Sequence, residues 1–362
     1  MTQKNGYLSF KDNLNIIFLI NQKLLFLKVY LNKNADPIFI FIIPVFSLIG
    51  FILNMLCFIV FLNKEFKELF YKYLRHELIF IMLDQLIQIF RPIDSYRHNW
   101  LSFSFGVQIF HIYFINYFAG LLEMTALIHH LLASINYYLL ITSSQRSKLE
   151  FIKKISYLKM SAGVVLFSMV AFVFVILERQ INSYEIIEVD SDEQNINSRV
   201  IYLVYGTYYS KTKLNQILVC FWFLFRDGFL LIMLLLLNIL IYLNVSKSLK
   251  KKIIFSKKQN NVSNENKNKN DRAQTKLTIM VICTSINFII GRLPILFGII
   301  MMTLVDKDWS KRVDILMKIG CTTVFLSYAF LFFFNYQFNK KFRKIFFMTV
   351  RKILNDASNI LN

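Results

Sequence analysis

The stretch FFFNYQFNKKFRKIFF, Phe332 to Phe347, decides the interpretation of the whole chain. A run of phenylalanines stops there, basic residues follow at once, and phenylalanines then continue at helical spacing. An apolar segment joined to a cationic amphipathic segment is typical of a membrane span that continues as a helix on the membrane surface. We expect that surface helix to bind anionic lipids of the inner leaflet through Phe338, Lys340, Lys341, Phe342, Arg343 and Phe346.

The composition of the remaining chain is also that of a membrane protein. The 362 residues are 56% hydrophobic and 18% charged, whereas a soluble domain is about a quarter charged. Seven apolar stretches reach the roughly 20 residues that a helix needs to cross a bilayer. They lie at about 37–62, 74–93, 107–141, 157–179, 215–243, 275–305 and 313–338. The predicted fold class is all-α: a seven-transmembrane helix bundle with a short amphipathic cytoplasmic helix after the seventh span.

The distribution of basic residues predicts how the bundle lies in the membrane. A formal charge of +20 would suggest nucleic acid binding in a soluble protein. Here most of the 42 Lys and Arg residues fall in the segments 63–73, 142–156, 244–274 and 339–362. Cytoplasmic loops carry such an excess, so we expect a plasma-membrane protein with an extracellular amino terminus, a cytoplasmic carboxy terminus and no nucleic acid partner.

Four segments outside the spans have their own expectations. Residues 1–36 should form an extracellular segment, in which 14–32 is either an interfacial helix or loosely ordered. The loop 244–274 is rich in Lys and Asn and is expected to be disordered. The tail 339–362 should hold the amphipathic helix. The 178–215 loop is acidic, which fits an outer face and weakly favours a peptide ligand.

Charged residues inside the spans are candidates for function because each costs several kcal/mol unless it is paired or hydrated. Glu123 shares a helical stripe with Asn116 and His130, and this stripe should face the bundle interior. Arg226 and Asp227 are adjacent, so their side chains should diverge by about 100° and need separate partners. The membrane-buried set is Asp84, Glu123, Arg226, Asp227 and Arg292.

Two interpretations of these charges remain open. In one, Glu123 forms a structural ion pair between helices with Arg292 or Arg226. In the other, a polar ligand pocket lies in the outer half of the bundle, with Asn116, Glu123, Arg226 and Arg292 as its candidates. The two are compatible.

The sequence contains no pattern that indicates catalysis. His129 and His130 are neighbours on one helix and cannot both face one ion. No carboxylate pair, Ser/His/Asp set or glycine-rich phosphate loop stands out. We therefore expect no enzymatic activity, no cofactor and no metal site.

The segment NYQFNKKFRKIF resembles the end of the seventh span and the following helix in rhodopsin-like (class A) G-protein-coupled receptors. Aligned on Asn339 to Arg343, the Asn, Pro and Tyr of the family's N-P-x-x-Y motif fall on Leu331, Phe332 and Asn335. The tail therefore matches, while the switch motif is replaced.

Other landmarks of that family recur in position more often than in identity. Asn54 and Asp84 resemble the first-span asparagine and the second-span aspartate, and SINYYLLI places Tyr137 on the arginine of the family's D-R-Y motif. In GRLP, Arg292 replaces the family's tryptophan and Pro294 is kept. The resemblance implies a conformational switch or allosteric cation site at Asn54, Asp84, Ser327 and Pro294. It implies a surface facing the G protein at Asn136, Tyr137 and Tyr138.

The resemblance, to a divergent invertebrate peptide or chemosensory type, implies a receptor. An extracellular ligand would drive movement of the sixth span, and a cytoplasmic heterotrimeric G protein would respond. One alternative is a transporter or channel subunit that uses the buried charges as a relay. Another is an insect-type odorant receptor channel, whose seven spans have the opposite orientation.

Overall fold

The computed structural model describes residues 38–92, 104–142, 156–189, 196–258, 264–304 and 310–361. The expected amino-terminal segment 1–36, with its doubtful part 14–32, lies outside the described residues. Within the described ranges the chain is a bundle of long helices with one β-hairpin and one carboxy-terminal helix. The predicted all-α seven-helix architecture is confirmed.

The bundle consists of seven helices in the described part of the chain. Helix α5 has three consecutive parts, of which the middle one is π-helical: Lys213–Phe223, Leu224–Phe229 and Leu230–Lys258. Helix α3 also contains a π-helical part, Phe110–Phe118. The other bounds are α1 Ile38–Phe61, α2 Leu69–Ile89, α3 Phe105–Ile141, α4 Tyr157–Leu177, α6 Asn264–Leu304 and α7 Ser310–Phe338.

Six of these helices, all but α2, are long and apolar enough to cross a membrane. Helix α2 carries Lys72, Arg75, Glu77 and Asp84, which lower its hydropathy. It nevertheless packs against α1 and α3 in the bundle. Glu77 and Asp84 are buried there, so the charges that weaken α2 as an apolar span point into the protein.

A β-hairpin joins α4 to α5. Its antiparallel strands are β1, Arg179–Val189, and β2, Ile196–Gly206, with Arg179 opposite Gly206. Ile201 and Leu203 of β2 are buried, and both strands contact the start of α3. The sequence interpretation treated 178–215 as a loop and missed these strands. We call this end of the bundle the hairpin end.

The expected disordered loop 244–274 is mostly helical. Helix α5 continues to Lys258 and α6 begins at Asn264. Once an apolar span has formed a helix, each further residue adds a backbone hydrogen bond without a new nucleation cost. A composition unable to form a core can therefore still continue a helix.

Helix α8, Lys340–Leu361, follows α7 after a single residue. That residue, Asn339, accepts a hydrogen bond from the backbone N–H of Phe342 at 3.0 Å, as an N-cap does. Phe342 and Ile345 are buried against the bundle, and the Phe342 ring lies 5.3 Å from the Phe61 ring. The amphipathic helix is thus confirmed, but this part of its apolar face contacts protein instead of lipid. We call this opposite end the tail end.

Helices α6 and α7 approach closely at glycines. A Cβ atom added to Gly320 would lie 2.8 Å from the backbone nitrogen of Ile295. One added to Gly291 would lie 2.9 Å from the Ser327 hydroxyl oxygen. Small residues allow the backbones of membrane helices to meet in this way. This contact positions Arg292 of α6 beside α7.

Candidate functional site

A cavity of about 480 Å³ lies at the hairpin end, enclosed by residues of all helices from α2 to α7. Small-molecule sites usually measure about 300–1,000 Å³. Of the four predicted pocket residues, Asn116, Glu123 and Arg226 line the cavity. The fourth, Arg292, is only 1% exposed and lies behind the wall.

Beneath this cavity lies a buried charge cluster of Glu123, Arg226, Asp227 and Arg292. Asp227 Oδ2 accepts hydrogen bonds from Arg226 Nε at 2.9 Å and Nη2 at 2.6 Å. Its Oδ1 accepts one from Arg292 Nη1 at 2.8 Å. Two carboxylates thus face two guanidinium groups, and the cluster is formally neutral.

Glu123 connects this cluster to the cavity. Its Oε2 lies 3.5 Å from Arg226 Nη1 and 3.5 Å from Arg292 Nη2. Arg292 Nη2 also donates to the Tyr328 hydroxyl at 3.1 Å. The cluster therefore joins α3, α5, α6 and α7, and the predicted interhelical pairing of Glu123 with arginine is confirmed.

The expectation that Arg226 and Asp227 diverge was wrong. Both residues lie in the π-helical part of α5, Leu224–Phe229, where the wider turn changes the angle between neighbouring side chains. The long arginine side chain then folds back so that its guanidinium reaches the adjacent carboxylate. Regular α-helical spacing could not predict this contact.

Three of the expected switch residues, Asn54, Asp84 and Ser327, each have a different hydrogen-bond partner. Asp84 is fully buried, and its Oδ1 is 3.4 Å from Gln88 Nε2. Asn54 donates to Gln85 Oε1 at 3.1 Å, and Ser327 donates to its own helix at the Val324 carbonyl. Among the described residues, neither Asn54 nor Ser327 has a recorded hydrogen bond to Asp84.

Pro294 occupies the interior of α6, two residues after Arg292. A proline inside a helix removes one backbone hydrogen bond and weakens the preceding turn. No group of three or more His, Cys, Asp and Glu side chains that could hold a metal ion occurs in the described ranges.

The residues expected to face a G protein are partly closed off at the tail end. Tyr137 is 1% exposed. Its hydroxyl lies 2.7 Å from the Thr278 hydroxyl and donates to the Gln274 carbonyl at 3.3 Å, both on α6. Asn136 and Tyr138 are half-buried. Tyr137 therefore joins α3 to α6 in this structure.

A second buried polar network was missed from the sequence. His130 Nδ1 lies 3.0 Å from Glu77 Oε2, and its Nε2 lies 3.0 Å from the Ser285 hydroxyl. These contacts join α2, α3 and α6 beside a cavity of about 20 Å³, lined also by Ser134 and Asn335. That volume suffices for one water molecule. Glu77 lies two helical turns before Asp84, a spacing that could have indicated the network.

The fold agrees with that of a solved receptor. The crystal structure of squid rhodopsin matches with a TM-score of 0.61 and 14% sequence identity, over 87% of this chain and 85% of that one. No family model and no curated protein sequence matches the chain. At this identity the likeness concerns the fold, and it confirms that the chain has the rhodopsin-like fold its tail segment resembles.

Proposed function

We propose that the chain is a plasma-membrane receptor that binds an extracellular ligand in the hairpin-end cavity and signals to a cytoplasmic heterotrimeric G protein. One observation carries the proposal: Glu123 both lines the cavity and contacts Arg292 of α6. A molecule in the cavity can therefore act on α6 through Glu123 and Arg292. Movement of α6 would open the tail end.

The coupling between the cavity and α6 depends on competition for the charged groups. A ligand that contacts Glu123 changes how strongly this carboxylate binds Arg292. A ligand that contacts Arg226 changes how strongly Arg226 binds the carboxylates of Glu123 and Asp227, which Arg292 shares. Arg292 lies two residues before Pro294, where α6 lacks one backbone hydrogen bond and can bend. The ligand shifts α6 only as far as its affinities for the two conformations differ.

At the tail end, outward movement of α6 must break the contacts of Tyr137. Its hydroxyl bridges to Thr278 and to the Gln274 carbonyl. In the proposed resting state these hydrogen bonds keep the ends of α3 and α6 together. Tyr137, which stands at the position of the family's arginine, thus restrains α6 in the proposed resting state.

The transporter or channel alternative fits the buried charges less well. A relay needs groups that exchange partners along a path across the membrane. Here Asp227 is bonded to both Arg226 and Arg292 at distances of 2.6–2.9 Å. Such mutual pairing stabilises the contact between the helices and does not form a path for ions.

Helix α8 would contact anionic lipids of the inner leaflet through a smaller basic face than expected. Lys340 and Lys344 are exposed. Lys341 instead contacts the Glu65 carbonyl and lies 5.2 Å from the centre of the Phe66 ring. Arg343 lies 5.8 Å from the centre of the Tyr336 ring. Lys340 and Lys344 are therefore the proposed lipid contacts.

The proposed coupling is tested by Tyr137→Phe, which removes only the bridging hydroxyl. A net contribution of about 1 kcal/mol for a hydrogen bond corresponds to a five- to tenfold shift between resting and active populations. We expect basal activation of G proteins, measured in cells with a panel of G-protein subtype biosensors, to rise by about that factor.

Tyr113→Phe is the matched control, because Tyr113 lies on the same helix toward the hairpin end, is 39% exposed, and its hydroxyl has no hydrogen bond within the described residues. It should leave basal activation unchanged at equal surface expression. If Tyr137→Phe activates none of the G proteins, and ligand libraries also fail on the unmodified receptor, coupling to G proteins is refuted.

A further inference from the structure

The cavity at the hairpin end has spare hydrogen-bond donors. Trp222 lines it and is 6% exposed, yet its indole Nε1 has no partner among the described residues. The amide Nδ2 of Asn116, also in the lining, has none either. A buried donor without a partner costs about 1–3 kcal/mol, so an occupant that supplies acceptors would be favoured.

Arg91 adds a cation with unused donors. Its Nη1 donates to Gln88 Oε1 at 2.8 Å, and its guanidinium carbon lies 4.3 Å from the centre of the Phe39 ring. A guanidinium has five N–H donors, and no carboxylate of the described residues forms an ion pair with Arg91. Gln88 and Arg91 both line the cavity.

Each of the two carboxylates in the lining already has one oxygen engaged. Glu178 accepts from the Asn215 amide at 2.5 Å. Glu123 lies 3.5 Å from two guanidinium groups, those of Arg226 and Arg292. A ligand cation that approached Glu123 would meet both positive charges at close range, where repulsion in a protein interior is strong. The polar part of the cavity therefore favours an acceptor over a donor.

The remaining wall is aromatic and apolar. Phe172, Phe174, Phe223 and Phe325 line it together with Trp222. Phe172 also lies close to Gly120, where an added Cβ would be 2.5 Å from the ring. Such a wall accommodates a flat or branched apolar body, and the volume of about 480 Å³ limits it to a small molecule or the last residues of a peptide.

We propose that this cavity takes a ligand with a free carboxylate on an apolar body, and that Arg91 binds the carboxylate. The planar guanidinium matches a carboxylate with two parallel hydrogen bonds. Asn116 and Trp222 donate to further acceptor oxygens of the ligand. The inference rests on the proposed receptor function, and it specifies the ligand as an acid, either a free aryl acid or a peptide with an unmodified carboxy terminus.

The test uses the full-length protein in lipid nanodiscs and probes that differ only in the polar group. The first set is 3-phenylpropionate, its amide and 3-phenylpropylamine. The second is N-acetyl-Phe-Phe as the acid and as the amide. We expect the acids to raise the unfolding temperature at millimolar concentration and the amides and the amine to leave it unchanged. The set that acts distinguishes a free acid from a peptide terminus.

Arg91→Gln should weaken binding of the acids about ten- to a hundredfold, because this is the affinity that a hydrogen-bonded charge pair contributes. Arg91→Lys should retain part of the affinity because it keeps the charge. Arg351→Gln, at an exposed position of α8, is the matched control and should leave binding of the acids unchanged. The unmodified protein tests the choice of acid over amine even if an Arg91 variant folds poorly.

Three results would overturn the assignment: no stabilisation by any acid, equal binding of acids by Arg91→Gln, or stabilisation by the amine that Glu123→Gln abolishes. The receptor function is judged separately. Acids that bind without activating any G protein contradict the receptor and leave the carboxylate site intact. Activation by the amine supports the receptor and refutes the carboxylate site.

Discussion

Asp227 keeps two buried guanidinium groups paired at the centre of the bundle. It is 0% exposed, and both its oxygens accept hydrogen bonds, from Arg226 on its own helix and from Arg292 on α6. Glu123, at 3.5 Å from each arginine, is held less closely. Without the Asp227 carboxylate the cluster would carry two cations against one anion inside the membrane.

We therefore predict that Asp227→Asn destabilises the protein by about 3–5 kcal/mol, the cost of leaving a buried charge without its partner. Thermal unfolding of the purified protein and surface labelling of cells should both show the loss. Asp314→Asn is the matched control, because Asp314 is 60% exposed and pairs with Lys318 on the surface of α7. An equal effect of the two substitutions would contradict the prediction.

At the scale of residues, the sequence identified the important side chains more accurately than it identified their contact partners. An ion pair of Glu123 with Arg292 or Arg226 was one of the two interpretations left open, because isolated charges are costly in a span. The direct contact of Arg226 with Asp227 was not expected, because neighbouring positions on a helix point in different directions; the long Arg226 side chain spans that difference. Glu77 was overlooked because it lies close to basic residues at the start of the predicted span 74–93, where a charge suggests an interface; the observed helix begins earlier, at Leu69.

The contact between α6 and α7 depends on glycine. The Gly320 position lies against the backbone of Ile295, with only 2.8 Å from a hypothetical Cβ to the Ile295 nitrogen. A backbone atom cannot move aside as the end of a side chain can. The two helices would have to separate, and Arg292 would move away from Tyr328.

Gly320→Ala should therefore destabilise the protein by about 1–3 kcal/mol, as overpacking does. Gly163→Ala in α4 is the matched control, since no atom lies within 4 Å of a Cβ at that position. It should be neutral or stabilising by about 0.5–1 kcal/mol, because alanine restricts the unfolded chain more than glycine does. Unfolding temperatures of the two variants would contradict the prediction if they shifted equally.

At the scale of elements, the helices could be predicted and their contacts could not. Apolar length alone indicates a span, and the Phe spacing after Asn339 indicated α8. That α8 buries Phe342 against Phe61 of α1 depends on tertiary packing. The hairpin was missed because the acidic residues of 178–215 suggested a solvated loop, although INSRVIYLVY in β2 is rich in β-branched and aromatic residues.

The whole molecule has an asymmetry that should fix its orientation. The hairpin and the 480 Å³ cavity occupy one end, while α8 and its exposed lysines occupy the other. Basic residues remain on the cytoplasmic side during insertion. The tail end is therefore expected to face the cytoplasm, and the cavity to open toward the exterior.

An epitope tag placed before Met1 should bind antibody on intact cells, and a tag placed after Asn362 should do so only after permeabilisation. The tag at one end serves as the control for the other. Labelling of the carboxy-terminal tag alone on intact cells would reverse the orientation. It would favour the orientation of an odorant receptor channel. It would also contradict the proposed signalling from an extracellular ligand to a cytoplasmic G protein.

For the whole molecule, the sequence predicted the fold class, and the match to squid rhodopsin supports it at 14% identity. The apolar runs and the tail segment remain recognisable at this low identity, because the lipid environment constrains the type of residue more strongly than the exact residue. The cavity could not be predicted as a shape. Its wall combines residues from six helices, and which of them face inward follows from packing that no single stretch encodes.

The hydrogen bonds from Arg226 to Asp227 close within α5 itself, so the helix can enter the bilayer before α6 exists. An isolated Arg or Asp at the centre of a span costs about 2.5–3.5 kcal/mol on insertion. A pair that neutralises itself on one helix presents a dipole in place of two charges. Asp227 Oδ1 still has a free lone pair at that stage, and Arg292 of the later helix binds there at 2.8 Å. Because Arg226 and Asp227 are neighbours, the helices can be synthesised and inserted in chain order. Helix α5 then provides the binding site for α6.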